Sequence, residues 1–466
     1  MFNVQTYLDR RKILRSRVDS GIALFLGNDD SPMNYQDNPY HFRQDSSFLY
    51  YFGLNTAGLA GVIDLDEGND HIFGNDLTID DIVFTGYQPT LKDRGREVGI
   101  ENTGSISNLE TFLDEAVKKG RRIHLLPPYR GENKIKLYHW LGINPMAAHE
   151  AASVELIKAV VSQREIKSDE ELLEIEKAVN TTVDMHLAAM RMARPGIMES
   201  EITAKVLEIA VKAGGNISFP IIATIHGETL HNYFHGNQLK EGDMFLLDCG
   251  AETAMGYAGD LSSTIPVSPA FTDRQKEIYE IVLKSHNRSI EMLKPRTPFK
   301  DIYFEACRII VDGLKGLNLM KGDTEEAVQN GAHAMFFPCG LGHQMGLDIH
   351  DMEDLGEVYV GYDGKPKSQQ FGLKSLRMAK PLVPGMVMTI EPGIYFIPSL
   401  IDMWKAEGRF SEFINYKKLE TYKDFGGIRN EEDFVITADG YELIGKLKPK
   451  TIEDVEKQKD LGAWNE

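Results

Sequence analysis

Two aspartates stand at the ends of apolar segments that have the length and composition of strands. Asp248 follows FLL in the run FLLDCG, and Asp260 precedes a second run, LSSTIPV. A carboxylate at the end of a buried strand is costly without a compensating charge, so a pair of them requires a cation or a shared proton. Either aspartate alone would be interpreted as a turn or cap residue.

Two histidines and two glutamates follow in motifs of their own. His343 and His350 lie in CGLGHQMGLDIHD, where glycine lets the backbone approach a ligand closely. Glu391 ends the alternating strand pattern MVMTIE, and Glu431 follows Arg429 in GGIRNEED. A single glutamate on a strand is usually a solvated residue, so the combination with the aspartates carries the argument.

The combined side chains predict a dinuclear metal site. Two aspartates, one histidine and two glutamates form an oxygen-rich, thiol-free set that suits Mn²⁺, Fe²⁺ or Co²⁺, with Zn²⁺ as a further possibility. Four carboxylates balance two divalent ions and leave room for a bridging hydroxide. Metal ions about 3.5–4 Å apart that share a water of lowered pKa are typical of hydrolases, so we expect hydrolysis at two divalent ions, with Mn²⁺ preferred and Co²⁺, Fe²⁺ or Zn²⁺ as alternatives.

Length and charge restrict the class of protein. At 466 residues, with 42% hydrophobic and 26% charged side chains, the chain is predicted to be a folded protein of two domains. A formal charge of −19, from 51 basic and 70 acidic residues, argues against nucleic acid and anionic membrane as partners. Simple solubility is the alternative interpretation of the acidic excess.

The cysteines and the N-terminus predict a cytoplasmic protein. Cys249, Cys307 and Cys339 form no CxxC pair, which argues against both a disulfide framework and thiolate zinc. The first residues, MFNVQTYLDRRKILRSRV, lack the apolar core of a signal peptide, and no apolar run reaches 18 residues.

The N-terminal third has the pattern of a mixed α/β domain. The segments FLYYFGL, AGVIDLD, DIVFTGY and RIHLLPPY have strand length and composition. They alternate with stretches of helical pattern such as SISNLETFLDEAVKKG, as expected for helices packed on a sheet.

A long helix is predicted after a domain boundary near residue 165. Ser168 and Glu171 have capping-box spacing at its start, and Pro195-Gly196 follows its end. His186 lies beside the apolar stripe of this helix and is expected to be a packed histidine; a second helix is predicted over 199–213. The stripe expected to face the core consists of Val179, Val183, Leu187 and Met190.

The chain contains a candidate internal duplication. Residues 190–213 align with 290–313, with Pro195 matching Pro295. A repeat of this kind predicts two α/β halves that face each other across a cleft, and chance similarity is the alternative.

At these motifs the chain resembles the Xaa-Pro branch of the pita-bread metallopeptidases, which comprises aminopeptidase P and prolidase. The stretch NPYHFRQDSSFLYYFGL resembles the N-terminal domain of this family, which is related to that of creatinase. The resemblance implies an α/β (α+β) fold. A creatinase-like N-terminal domain is expected over 1–165, followed by a pita-bread catalytic domain with pseudo-twofold duplicated halves over 166–466.

The resemblance also implies a role for each candidate ligand. Asp248 would bind one metal ion terminally, while Asp260 and Glu431 would bridge both ions. His343 and Glu391 would complete the coordination of the other ion. Glu391 would also act as the general base.

Further residues are implied on the substrate side of the site. His231 in GETLHNYF and His350 resemble the family histidines that stabilise the tetrahedral intermediate. Tyr395 and Arg429 resemble residues next to the site. Arg377 in SLRMAK resembles the prolidase arginine that pairs with a substrate carboxylate, and a surface or ion-pair role is its alternative.

The predicted activity is removal of the N-terminal residue from proline-containing Xaa-Pro peptides by an Xaa-Pro aminopeptidase. Prolidase, which takes only dipeptides, is the closest alternative, because the segment between Glu391 and Glu431 is long, as in that branch. A non-catalytic peptide-binding module is a further alternative, although such modules generally lose ligands. Asn430 departs from the family pattern IRIEED. By resemblance we expect a homodimer or homotetramer.

Overall fold

The computed structural model describes residues 1–461, which fall into two compact units. The first comprises Met1–Arg164 and a short return segment, Met352–Val360; the second comprises Glu165–Asp351 and the chain from Gly361 onward. Within the described residues, no helix is both long and apolar enough to cross a membrane.

The first unit is built on a five-stranded mixed sheet. Its strands are β1 (Ile22–Leu26), β2 (Ala60–Asp64), β3 (Asp70–Phe73), β4 (Asn102–Gly104) and β5 (Ile123–Leu125), in the order β4-β3-β2-β1-β5. Its helices are α1 (Val4–Arg15), α2 (Ser46–Phe52), α3 (Ile79–Thr85), α4 (Leu91–Glu97), α5 (Ser107–Lys118), α6 (Gly131–Leu141) and α7 (Val154–Arg164).

Two segments predicted as strands are helices. FLYYFGL belongs to α2, which Asp45 caps and Gly53 ends in the left-handed conformation. All residues of α2 are buried, so the segment has the continuous apolar character of a buried strand, although it is a helix. DIVFTGY belongs to α3, whose start is fixed by a capping box between Thr78 and Asp81. The strand predictions for AGVIDLD and RIHLLPPY and the helix prediction for SISNLETFLDEAVKKG are confirmed.

The second unit contains two helix pairs and several short sheets. Its helices are α8 (Asp169–Met192), α9 (Glu199–Lys212), α10 (Asp273–Glu291), α11 (Phe299–Gly316), α12 (Thr324–Asn330), α14 (Pro398–Ala406), α15 (Tyr416–Leu419) and α16 (Ile452–Asp460). Helix α13 (Glu357–Val360) lies in the segment Met352–Val360 of the first unit. The strands of the second unit are β6 (Asn216–Ile217), β7 (Ile222–Thr224), β8 (Met244–Cys249), β9 (Ala251–Glu252), β10 (Leu261–Pro266), β11 (Val387–Ile390), β12 (Gly393–Tyr395), β13 (Gly427–Arg429), β14 (Glu432–Ile436) and β15 (Tyr441–Leu443).

Helix α8 begins as predicted, with a capping box between Ser168 and Glu171. Three residues of the predicted stripe are buried, whereas Leu187 is partly exposed. His186 is fully buried and its Nδ1 lies 2.9 Å from Ser263 Oγ, in agreement with the packed role expected for it.

The proposed repeat coincides with two similar helix pairs. The aligned residues span the α8–α9 junction and the α10–α11 junction. At equivalent positions, Met198 and Pro298 each form an isolated antiparallel bridge, to Gln238 and Pro381.

Each helix pair is followed along the chain by strands of a three-stranded antiparallel sheet. One sheet has the order β10-β8-β7, and the other has the order β11-β14-β15. These two sheets, with the pair β12-β13, position the residues that were predicted to bind metal.

Candidate metal centre

The first sheet positions both aspartates. Asp248 is the penultimate residue of β8, and its neighbours across the sheet are Ile222 of β7 and Ser262 of β10. Since directly paired residues in antiparallel strands share a face, these three side chains form a row. Asp260 immediately precedes β10, and its backbone N–H donates to Asp433 Oδ2 at 3.1 Å.

The glutamates lie at strand ends around the second sheet. Glu391 follows β11, and its N–H donates to Leu341 O at 2.8 Å. Glu431 lies in the break between β13 and β14, and its N–H donates to Ser262 O at 3.2 Å. This bond joins the two halves of the unit beside the carboxylates.

His343 is held on both sides. A Cβ on the preceding Gly342 would lie only 2.0 Å from Thr389 O, so glycine is required for this close approach to β11. The His343 backbone exchanges hydrogen bonds with Thr389, and Nδ1 lies 3.1 Å from Gln344 O. This contact leaves Nε2 directed at the carboxylates, 3.4 Å from Asp260 Oδ2 and 3.8 Å from Glu391 Oε1.

The predicted ligands converge on one cavity. Ligand atoms of Asp260, His343 and Glu431 all lie within 4.8 Å of one another, and all three residues are buried. Asp248 and Glu391 line the same cavity of about 550 Å³. The five predicted ligands therefore come together, although their places in the chain span nearly two hundred residues.

Two of the carboxylates each have one oxygen that lacks, among the described residues, the partner that a buried charge requires. Asp260 Oδ1 and Glu431 Oε1 are buried and, within residues 1–461, have no hydrogen-bond partner. Burial, followed by repulsion from neighbouring carboxylates, raises the pKa of Asp260 and of Glu431 well above the ordinary range. Burial also raises the pKa of Glu391, against the opposing effect of His343. Cations bound between these oxygens would satisfy them, so the donor set fits divalent metal.

Arg429 and Ser262 order the carboxylates. The Arg429 guanidinium donates to Asp248 Oδ2, to Tyr395 Oη at 2.8 Å and to Ser262 Oγ at 3.1 Å. Ser262 Oγ in turn donates to Glu431 Oε2 at 2.7 Å. One guanidinium thus fixes ligands from both halves of the unit.

The residues predicted to contact substrate are placed differently from one another. His231, His350, Arg377 and Arg429 line the cavity, whereas Tyr395 is fully buried behind Arg429 and is not among the lining residues. A substrate contact for each of these residues stays a prediction.

The two histidines on the substrate side have distinct surroundings. The His350 ring lies edge-on to His343, with 4.3 Å between the ring centroids. Burial, and then the nearby Arg429, lower the pKa of His231, so a neutral ring that retains one N–H donor is favoured near neutrality.

Several residues of the centre were not anticipated from the sequence. Ser262 could have been found, because it follows Asp260 by two positions and alternate strand residues share a face. Asp433 carries a similar signal relative to Glu431. No sequence signal of this kind marks Lys448, which follows β15. Its buried ammonium nevertheless donates to Ser262 O at 2.8 Å. The cavity wall also includes apolar residues absent from the prediction, namely Phe219, Ile222, Leu230, Phe371 and Ile397.

Two family models match separate parts of the chain. Residues 174–438 match the model of metallopeptidase family M24, and residues 7–125 match the aminopeptidase P N-terminal domain. A rat protein named Xaa-Pro dipeptidase is 30% identical over 454 residues, covering 94% of this chain and 89% of that protein. The Xaa-Pro aminopeptidase of Escherichia coli K12 is 28% identical over 475 residues, covering 97% of each.

Solved structures agree with these relatives. A substrate complex of a glutamate-to-alanine variant of E. coli aminopeptidase P superposes with a TM-score of 0.82 at 26% identity, covering 100% of both chains. The fold and the site thus define a metallopeptidase with an appended aminopeptidase P N-terminal domain. The chain belongs to metallopeptidase family M24. The predicted fold class and the resemblance to the Xaa-Pro branch are confirmed.

Proposed function

We propose that this metallopeptidase removes the N-terminal residue from Xaa-Pro peptides with two divalent ions at its centre. The observation that carries the proposal is the convergence on His343, in a 550 Å³ cavity, of buried carboxylate oxygens that have no hydrogen-bond partner in the described part of the chain. Sequence relatives named Xaa-Pro aminopeptidase and Xaa-Pro dipeptidase support the choice of substrate. The ligands proposed are Asp248, Asp260, His343, Glu391 and Glu431.

The balance of charge in and around the centre supports two ions. Glu432 and Asp433 add two buried carboxylates to the four carboxylates among the proposed ligands, while Arg429, Lys448 and Lys450 supply three cations. Three negative charges remain in excess. Two divalent ions with one hydroxide would neutralise this excess and leave the Arg377 guanidinium at the cavity wall for a substrate carboxylate.

Glu391 is proposed as the general base. When bound, the ions would polarise the scissile carbonyl and supply a nucleophilic water at neutral pH. Glu391 lies at the cavity wall with a raised pKa, which suits a carboxylate that accepts a proton from the attacking water. The same carboxyl then passes this proton to the nitrogen of the departing proline.

His231 and His350 are proposed to donate hydrogen bonds to the developing oxyanion. Both line the cavity. Donors of this kind act mainly on the transition state, and loss of one typically lowers turnover by about 10²–10³-fold.

The cavity also offers a basis for proline selection. The nitrogen of an Xaa-Pro bond has no N–H, so the site needs no acceptor there and can favour a ring by apolar contact. Phe371 and Ile397 supply apolar wall, and Arg377 supplies a charge for a peptide carboxylate.

The cavity is large enough to accommodate peptides longer than two residues. Its volume lies within the range of pockets that enclose drug-sized ligands. We therefore retain aminopeptidase over prolidase. Comparing hydrolysis of Gly-Pro with that of Arg-Pro-Pro and longer Xaa-Pro peptides tests this choice, and cleavage of the dipeptide alone would contradict it.

Replacing Glu391 by glutamine tests the proposed mechanism. The variant removes the proton acceptor and keeps the side-chain volume, so we expect hydrolysis of Arg-Pro-Pro to be nearly abolished. Metal content is measured on the same sample, because Glu391 is also a proposed ligand. Substantial turnover in a fully metal-loaded variant would contradict the assignment.

Finer assignments complete the proposal. We propose Mn²⁺ as the working metal, a cytoplasmic location, a homodimer or homotetramer, and a domain division into 1–165 and 166–466. Activity after reconstitution with Mn²⁺, Co²⁺, Fe²⁺ or Zn²⁺ tests the metal, and light scattering in solution tests the assembly.

A further inference from the structure

A buried ion pair lies beneath the loop that carries His343 and His350. Lys167 directly precedes the N-cap of α8, and Asp351 directly follows His350. Lys167 Nζ lies 2.9 Å from Asp351 Oδ2, and each side chain is only 1% exposed. Neither residue lines the cavity wall.

The pair is fixed at both ends. On one side, the Lys167 backbone N–H donates to Gly385 O at 2.9 Å. On the other side, Asp351 closes the loop on itself: its N–H donates to Gln344 O at 2.8 Å, and its Oδ1 accepts from the Asp348 N–H at 3.3 Å. The ammonium therefore contacts the residue that joins both ends of the loop 343–351.

The loop runs directly over the pair at Gly346. A Cβ at this position would lie 2.7 Å from Asp351 Oδ2 and 2.9 Å from Lys167 Cε. The Gly346 carbonyl in turn accepts from the Ala258 N–H at 2.9 Å, two residues before Asp260. The pair thus supports a segment that touches the approach to a second proposed ligand.

We propose that Lys167 is a positioning residue, which acts through Asp351 to set the orientation of the histidine loop 343–351 against the carboxylates. This inference rests on the proposed function for its effect on turnover. The effect on the imidazoles is direct, because Asp351 is bonded to His350 in the chain and to the Gln344 carbonyl by its N–H.

Stability alone does not account for such a pair. Replacing a buried ion pair by neutral residues is often neutral or stabilising, whereas removing one partner leaves an uncompensated charge. The single variant K167M would confuse loss of folding with loss of positioning. The double variant K167M/D351N avoids this problem, because it leaves no buried charge and asparagine keeps an oxygen for the Asp348 N–H.

The double variant separates the two roles. We expect the Tm of K167M/D351N to lie close to that of the unaltered protein. Its kcat for Arg-Pro-Pro should fall about tenfold or more, whereas its KM should change little. This pattern is expected because the lost contact supports residues that act on the transition state. Binding of Mn²⁺ to the metal-free protein, measured by competition with a chelating dye, should weaken by about tenfold, since His343 lies in the same loop.

Conservative variants and a matched pair serve as controls. K167R keeps the cation beside Asp351 and should retain most of the kcat that K167M/D351N loses. The matched control is K380M/E165Q, which neutralises another lysine–carboxylate pair of the same unit, at 2.5 Å, whose partners are neither loop residues nor proposed ligands. We expect this control to leave kcat and Mn²⁺ affinity unchanged.

Each outcome decides the matter. If K167M/D351N folds and keeps both kcat and Mn²⁺ affinity within twofold of the unaltered protein, the proposal is overturned. If it does not fold, D351E decides instead: this variant keeps the charge but displaces it, and an unchanged kcat and affinity would overturn the proposal. If the unaltered protein cleaves no Xaa-Pro peptide, the proposed function fails, and the Mn²⁺ competition alone decides the role of Lys167.

Discussion

Replacing Glu431 by glutamine should stabilise the metal-free protein, contrary to the usual effect of altering a buried polar side chain. Glu431 is 2% exposed and its Oε1 has no hydrogen-bond partner within residues 1–461. Its ligand atom lies within 4.8 Å of that of Asp260. Without metal, the two carboxylates repel each other, and glutamine removes one of these charges while it keeps an oxygen for the Ser262 hydroxyl.

The size of the expected stabilisation follows from the distance between the Asp260 and Glu431 carboxylates. Two unit charges 4.8 Å apart repel by about 3 kcal/mol at an effective dielectric constant of about 20. Partial protonation relieves some of this repulsion, because the pKa of both carboxyls is raised. We therefore expect a gain of about 1–2 kcal/mol in the free energy of unfolding at pH 8, or roughly 1–3 °C in Tm for a chain of 466 residues.

Metal should reverse the order of stability. A ligand present at about a hundredfold excess over its Kd stabilises a folded protein by about 2.7 kcal/mol. The E431Q variant has lost a proposed bridging ligand, so it should gain less from Mn²⁺ than the unaltered protein. Thermal unfolding is followed at pH 8, once in EDTA and once in excess Mn²⁺, for both proteins.

The adjacent residue provides a matched control. Glu432 is 3% exposed, but its Oε2 accepts from Lys450 Nζ at 2.5 Å. E432Q removes a partnered charge and should lower Tm in both EDTA and Mn²⁺. If E431Q also lowered Tm in EDTA, to the same extent as E432Q, the argument from electrostatic repulsion would be refuted.

Three further predictions concern stability and metal affinity. Because the pKa of Asp260 and of Glu431 is raised in the folded metal-free protein, these two carboxyls contribute stability that is present at low pH and is lost as pH rises through the folded pKa; the Tm advantage of E431Q over the unaltered protein in EDTA should therefore grow from pH 5.5 to 8.5, and a constant difference would contradict this. S262A should weaken Mn²⁺ binding by about tenfold in a chelator competition, and an unchanged affinity would contradict the role of this hydroxyl in holding Glu431. N430I should raise Tm by the equivalent of about 1 kcal/mol, because the buried Asn430 Nδ2 has no hydrogen-bond partner within residues 1–461; a lower Tm would show that the amide is stabilising.

The positions of the ligands follow from local sequence patterns. Asp248 and Asp260 were expected beside strands, and they lie in β8 and directly before β10. Glu391 follows β11 as expected, whereas Glu431 lies in a break between two strands rather than within one. These positions could be predicted because an apolar run in the sequence marks the extent of a buried strand, and the polar residue that ends the run marks the end of that strand.

The two helices predicted as strands show where the local pattern is insufficient. In α2 every side chain is buried, so there is no polar face to reveal the helical period. In α3 no side chain is buried, so its apolar residues mark no core-facing stripe. In both segments the more informative signal was the N-cap, at Asp45 and Thr78, rather than the apolar run.

The supporting contacts of the centre could not be predicted from the sequence. Arg429 reaches Asp248 across 181 positions of the chain, and Lys167 reaches Asp351 across 184. Such pairs depend on how strands and loops from distant parts of the chain meet, and no short motif encodes that arrangement. Lys448 illustrates the point, since its sequence neighbours give no indication of a buried ammonium beside Ser262.

Titrating the metal-free protein with Mn²⁺ while following hydrolysis of Arg-Pro-Pro is the most direct test of a two-ion peptidase centre. The structure predicts that activity appears with metal and reaches its maximum at two equivalents per chain, and that E431Q does not reach this maximum. Full activity in EDTA, or a maximum at one equivalent, would contradict the assignment of two ions to these carboxylates.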